Sequence, residues 1–163
     1  MRVALGVDHA GFPLKGRIID LLKYEGHTVT DLGTHSTDPV DYSDYAIAVG
    51  KAIRSGKADS GILLCGSGVG ASIAANKIPG IRAAVCHDPF SAIQSREDDD
   101  ANVFCLGPRV IGPELAIILV RLFFSAKFSA LERHQRRLEK VLALEKEFCK
   151  GRVLDLPVHI KGG

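Results

Sequence analysis

Short apolar runs alternate with helical patterns along most of this 163-residue chain, and that alternation restricts the fold more than any single motif. Residues 3–7 form a continuous apolar run. A helical pattern over 13–24 follows, with Leu14, Ile18, Leu21 and Leu22 on one face. A strand over 26–33 closes on glycine, and a helix over 42–55 turns Tyr45, Ala46, Val49 and Ile53 inward. Residues 61–65 are another unbroken apolar run, of the kind buried on both faces of a sheet. The pattern continues with a helix over 71–77 stopped by Pro79-Gly80 and a strand over 82–86. Next come a helix opened by Asp88-Pro89 and running to 97, a strand over 103–106 and an apolar helix over 113–124. Five strands separated by helices imply right-handed crossovers. The expected fold is therefore α/β and three-layered, a Rossmann-like (flavodoxin-like) five-stranded parallel sheet with helices on both faces.

The last stretch breaks the alternation. Ser129 and Glu132 make a capping-box pattern, and a charged helix is expected from there to 150, with Leu131, Leu138, Val141, Leu142 and Leu144 as its apolar stripe. An extra C-terminal helix placed after a finished sheet is suited to packing on a neighbouring subunit. Residues 1–150 are expected to be one α/β domain and 151–163 an extended tail.

Bulk properties narrow the function class. Hydrophobic content of 46% with 25% charged residues describes a soluble globular chain, and a formal charge of +2 gives no general case for nucleic-acid or membrane partners. No segment approaches the roughly 20 apolar residues of a membrane span. The N-terminal apolar run meets Asp8-His9 too early for a secretory signal. The four cysteines, at 65, 86, 105 and 149, lack metal-ligand spacing, and the first three lie in or at the end of apolar runs. Free buried thiols in a reducing cytoplasmic setting are the expectation.

The chemistry concentrates in "ILLCGSGVGAS", residues 62–72. A phosphate-binding loop of the Walker type needs a Gly-Lys-Ser/Thr ending, which is missing, and a cysteine phosphatase loop needs an arginine where Ala71 stands. Gly66-x-Gly68-x-x-Ala71, with Asp88 downstream, does match the letters of a dinucleotide turn, although it follows the third strand rather than the first. A thiol reading uses Cys65 as well. Sites in open parallel sheets form beyond the carboxyl ends of strands, and Cys65 ends one such strand. The amides of Gly66, Ser67, Gly68, Val69 and Gly70 lead into a helix and are suited to an anion. A base beside an anion hole suits proton abstraction next to a carbonyl. The plainer alternative is a buried cysteine in a tight turn. Asp8 and His9 end the first strand and reach the same edge, where Asp8 is equally able simply to cap a helix. Arg133, His134 and Arg137 lie within about one helical turn and face one anion or, more blandly, solvent; Arg109, at the end of the fifth strand, joins them if that helix folds over a partner's site.

Taken together, "GVDHAGFPLK", "DYSDYA", "LLCGSGVGASIAANKIPGIRAAVC", "DANVFCLGPRVIG" and "RHQRR" resemble the ribose-5-phosphate isomerase B family, which includes galactose-6-phosphate isomerase subunits. The resemblance covers residues 2–140. It implies an aldose–ketose isomerase of phosphorylated sugars that uses no metal or cofactor, built as a homodimer or dimer of dimers with shared sites. Carried over, Cys65 is the base between C1 and C2, while Ser67 and the amides of 66–70 hold the enediolate. Asp8 and His9 contact sugar hydroxyls, with Asp8 shuttling an oxygen-bound proton. Tyr42 lines the pocket, and Arg109, Arg133, His134 and Arg137 bind phosphate, some from the second chain.

One segment departs from the family. Where the family commonly reads Arg-x-His-Asn-x-x-Asn, this chain reads "REDDDAN", with Asp98 at the place of the ring-opening histidine and Asp99 at that of the asparagine. An aspartate of ordinary pKa near 4 is a poor proton donor at neutral pH. Either Asp98 opens rings with help from its acidic neighbours, or ring opening is not required. The second case points to a four-carbon 4-phosphate such as erythrose 4-phosphate, whose O4 is esterified. A different class of reading, a non-catalytic nucleotide-binding module, rests on the glycine pattern and the altered 96–100 segment.

Overall fold

A computed structural model describes residues 1–148; the expected end of the last helix at 150, Cys149 and the expected tail over 151–163 lie outside the described residues. Five strands form one wholly parallel sheet: β1 (Arg2–Val7), β2 (Thr28–Asp31), β3 (Ser60–Leu64), β4 (Ala83–Val85) and β5 (Val103–Leu106). Between and after them run α1 (Phe12–Tyr24), α2 (Tyr42–Arg54), α3 (Val69–Ala75), α4 (Pro89–Glu97), α5 (Pro113–Ser125) and α6 (Glu132–Phe148). Pro13, Pro89 and Pro113 each sit in the first turn of a helix, where a missing N–H costs nothing. Asp88 adds a cap to α4, its carboxylate accepting from the Ser91 N–H at 2.8 Å.

Helices cover both faces of the sheet, so β1 and β3 are apolar without alternation. On one face α1, α4 and α5 bury Leu14, Ile18, Leu22, Leu119 and Phe123 against Val3, Leu5, Ile62 and Phe104. The Phe104 and Phe123 rings stack at 4.8 Å. On the other face α2 and α3 pack small residues, Ala46, Val49, Ala71 and Ala75, against Ala4, Leu63 and Val103.

The strand order is β2-β1-β3-β5-β4, with the last strand inserted between its two predecessors. This leaves β4 at an edge, where Asn76 takes the part of a missing neighbour: its side-chain oxygen accepts from the Ala83 N–H and its amide nitrogen donates to the Ala83 carbonyl, each at 2.8 Å. At the opposite edge the buried Lys15 ammonium, on α1, pairs with Asp31 at 2.7 Å and donates to the Thr34 carbonyl at 2.7 Å. It thereby fastens the loop leaving β2.

Two local expectations are corrected. Helix α3 starts at Val69 rather than 71, because Gly68 takes a left-handed conformation (φ 83°) that ends the preceding loop. No capping box forms at α6. Ala130 has φ 52°, and Ser129 sends its hydroxyl to the His134 ring rather than to the helix amides. The Leu131 carbonyl instead accepts from the His134 and Gln135 N–H groups. Leu131, Val141, Leu142 and Leu144 of the expected stripe remain 40–55% exposed.

Phe123 is the large side chain of α5 that locks one helical layer to the sheet. Phe123→Ala is expected to cost about 3–5 kcal/mol, read as a lower urea midpoint with an unchanged slope.

Candidate active site

Strands β1 and β3 are neighbours whose following helices, α1 and α3, lie on opposite faces of the sheet. The two connections diverge there and leave a crevice beyond the carboxyl ends of the strands. A cavity of about 280 Å³ occupies it, lined by Asp8, His9, Ala10, Tyr42, Cys65, Gly66, Ser67, Gly70 and Arg109. Larger hollows beside β2 and α2 and beneath α6 do not contain this convergence of a thiol, a carboxylate, an imidazole and a guanidinium.

Each side chain is held by backbone geometry. Cys65 is 4% exposed, and the Gly68 N–H donates to its sulfur at 3.1 Å. The Asp8 Oδ1 accepts from the Ala10 and Gly11 N–H groups, both at 2.9 Å, so one oxygen shapes the entry to α1. Among the described residues its Oδ2 has no hydrogen-bond partner. His9 Nδ1 lies 3.2 Å from both the amide nitrogen and the carbonyl oxygen of Val40, which fixes the ring against the loop after β2. The Tyr42 ring lies directly on Gly70, where a Cβ would come within 2.7 Å of it.

Arg109 lies in this crevice with Cys65. Its N–H donates to the Gly66 carbonyl at 3.1 Å, and its side chain rests on Gly66, 3.2 Å from where a Cβ would stand. Among the described residues no carboxylate pairs with it. The amides of Gly66 and Ser67 likewise donate to no group among the described residues. An unpaired cation and free N–H groups in one crevice form an anion-binding arrangement.

The remaining expected site residues lie elsewhere in the same chain. Val69 opens α3 and is half exposed. Asp98 is the C-cap of α4, with Oδ1 3.2 Å from His134 Nδ1. His134 is 4% exposed, with Nδ1 2.7 Å from the Ser129 hydroxyl and Nε2 accepting from the Arg133 Nε–H at 2.9 Å. Asp99 and Arg137 line the hollow between α6 and the β4 edge. The glycine pattern that also fits a dinucleotide turn has local uses here: Gly66 bears Arg109, Gly68 turns the chain and Ala71 packs into the core.

One residue beside this site escaped the sequence reading. His87, just past β4, accepts the Gly107 N–H on Nε2 at 3.1 Å. Burial holds its pKa below the ordinary histidine value, partly offset by Asp88. The two non-site thiols are pushed the other way: desolvation raises Cys86 and raises fully buried Cys105 still further, leaving both protonated.

Comparison with known proteins gives the family. The family model described as Ribose/Galactose Isomerase matches residues 3–141. The chain is 47% identical over 144 residues to a ribose-5-phosphate isomerase B of Escherichia coli K12, covering 88% of this chain and 96% of that protein. It is 46% identical over 132 residues to a D-erythrulose-4-phosphate isomerase of Pectobacterium atrosepticum, covering 78% and 85% of the two chains. The solved structure of a Clostridium thermocellum ribose-5-phosphate isomerase B superposes with a TM-score of 0.88 at 47% identity, covering 91% of this chain and 99% of that one. With its parallel sheet, its thiol-and-amide crevice and these likenesses, the chain belongs to the ribose/galactose isomerase family of sugar-phosphate isomerases.

Proposed function

We propose that this chain interconverts ribose 5-phosphate and ribulose 5-phosphate through a cis-enediolate, with Cys65 as the base. The observation that carries the reading is the meeting of the Cys65 sulfur, the free amides of Gly66 and Ser67 and the unpaired Arg109 in one crevice. The Cys65 thiolate takes the proton from C2 of the open-chain aldose, and the C1 carbonyl oxygen becomes the enediolate oxygen held by the loop amides and Ser67. Asp8, through its uncommitted Oδ2, moves a proton from O2 to O1. The C2 carbonyl then forms as the Cys65 thiol returns its proton to C1. His9 and Tyr42 border the sugar, and Arg109 faces the phosphate. No metal or cofactor has a part in these steps.

The site is completed, in this reading, by a second copy of the chain. Arg133, His134 and Arg137 lie on α6, outside the cavity that holds Cys65. Large apolar side chains stand exposed on α3, after β5 and on α6: Val69 and Ile73, Val110, and Val141 and Leu144. Burying such residues against a partner fits a homodimer in which α6 of one copy brings phosphate-binding arginines to the other.

A second substrate reading has its own support. Asp98 stands where the family's ring-opening histidine is expected, and its Oδ1 lies 3.2 Å from His134 Nδ1; a carboxylate of ordinary pKa is a poor proton donor for opening a furanose ring at neutral pH. A four-carbon 4-phosphate needs no such donor, and one relative is named a D-erythrulose-4-phosphate isomerase. The tetrose pair is therefore the alternative substrate.

Cys65→Ala is expected to lower kcat by about a hundredfold to ten-thousandfold with an unchanged melting temperature; near-normal turnover would exclude the thiol as base. Mixing Cys65→Ala with Arg137→Ala chains is expected to restore activity toward about a quarter of wild type after random exchange, and no rescue after verified exchange would place both groups in one chain. In a panel of sugar phosphates, Asp98→His is expected to raise kcat/KM for ribose 5-phosphate more than for erythrose 4-phosphate. Strong wild-type preference for ribose 5-phosphate without tetrose turnover would remove the tetrose reading.

A further inference from the structure

His87 stands where the edge strand leaves the sheet. Residues Val85 and Cys105 are the last paired positions of β4 and β5, and the Cys86 N–H still donates to the Cys105 carbonyl at 3.2 Å. The next rung of a regular parallel ladder would run from the Gly107 N–H to the Cys86 carbonyl. The His87 Nε2 replaces that carbonyl, accepting the Gly107 N–H at 3.1 Å.

Gly107 is the platform beneath the reactive loop. A Cβ on it would collide with the Ser67 Cα and the Gly66 carbonyl oxygen, so the two backbones are in direct contact. Its carbonyl accepts from the Val110 and Ile111 N–H groups at 2.9 and 3.2 Å, and the same turn carries Arg109 to the Gly66 carbonyl. The imidazole therefore holds one side of a turn whose other side supports Gly66, Ser67 and Arg109.

We propose that His87 is a positioning residue: as a neutral acceptor it fixes the 107–111 turn against residues 66–67, and so sets the enediolate donors and the Arg109 guanidinium. This rests on the isomerase reading above. Protonation converts Nε2 into a donor facing another donor, the Gly107 N–H, and the contact is lost. Burial favours the neutral ring, and Asp88, which caps α4, opposes it. The neighbouring Cys86 and Cys105 are uncharged thiols, and the Arg109 guanidinium lies across the turn on Gly66. Because the folded-state pKa is depressed, the contact is fully formed above the ordinary histidine value. It is lost as pH falls from there through the folded value.

The test compares wild type, His87→Ala and His87→Gln with ribose 5-phosphate and erythrose 4-phosphate between about pH 5 and pH 8. Glutamine brings its amide oxygen to the place of Nε2 and does not titrate. His87→Ala is expected to lose about tenfold or more in kcat, with a smaller change in KM. His87→Gln is expected to retain at least about half of it at neutral pH. Below the ordinary histidine pKa, wild-type kcat/KM is expected to fall more steeply than that of His87→Gln, substrate ionisation being common to both. An alanine variant within twofold of wild type, or a glutamine variant with the wild-type acid limb, would overturn the inference. The glutamine comparison decides even if the alanine variant folds poorly. A wild-type chain that isomerises no sugar phosphate would overturn the underlying isomerase reading, a result distinct from either of these.

Discussion

The pairing of β1 with β3 is the constraint on which the site depends. Val3 to Val7 align in parallel with Ser60 to Leu64, so Asp8 and Cys65 emerge together at one end of the sheet. The Asp8 N–H closes this junction by donating to the Leu64 carbonyl at 3.0 Å. Helix α1 then turns to one face and α3 to the other. Any other order of these two strands would separate the carboxylate from the thiol, whatever the loops contained.

Insertion of β5 beside β3 supplies the second half of the arrangement. Gly61 to Leu64 pair with Val103 to Leu106, which brings Gly107 under Ser67 and Arg109 over Gly66. The crevice thus gains its rigid floor and its cation from Gly107 and Arg109, 42 and 44 residues downstream of the thiol. Displacing β4 to the edge is the structural cost, met by Asn76 along Ala83 and by His87 where the strand departs. Backbone groups left by a short edge strand are satisfied by side chains rather than by another strand.

Much of this was legible in the sequence, for identifiable reasons. Short apolar runs without alternation, bounded by turn residues, fit strands covered on both sides, and prolines at helix starts mark the turns. Asp8, His9 and Cys65 could be grouped because each closes a strand of a parallel sheet. Strand order could not be read, since periodicity carries no information about which strand is whose neighbour. The seat of Arg109 on Gly66 was therefore hidden, because it arises from the β3–β5 pairing. His87 escaped notice for the same reason, because its partner Gly107 becomes adjacent only through that pairing. Ser129 and Glu132 fitted a capping box by spacing alone, but His134 competes for the hydroxyl at 2.7 Å. The role of Asp98 was open in the sequence, and its contact with the buried His134 ties the end of α4 to the start of α6.

The central claim is that a thiol at the β1/β3 junction moves a proton, rather than that a hydride shifts between carbons. Running the isomerisation in deuterium oxide and locating the label by nuclear magnetic resonance tests this directly. Transfer through Cys65 and an enediolate, the thiol proton exchanging with solvent over repeated turnovers, predicts solvent deuterium at C1 of the ketose or C2 of the aldose as the reaction is held at equilibrium. Turnover with no deuterium at either carbon would contradict the account.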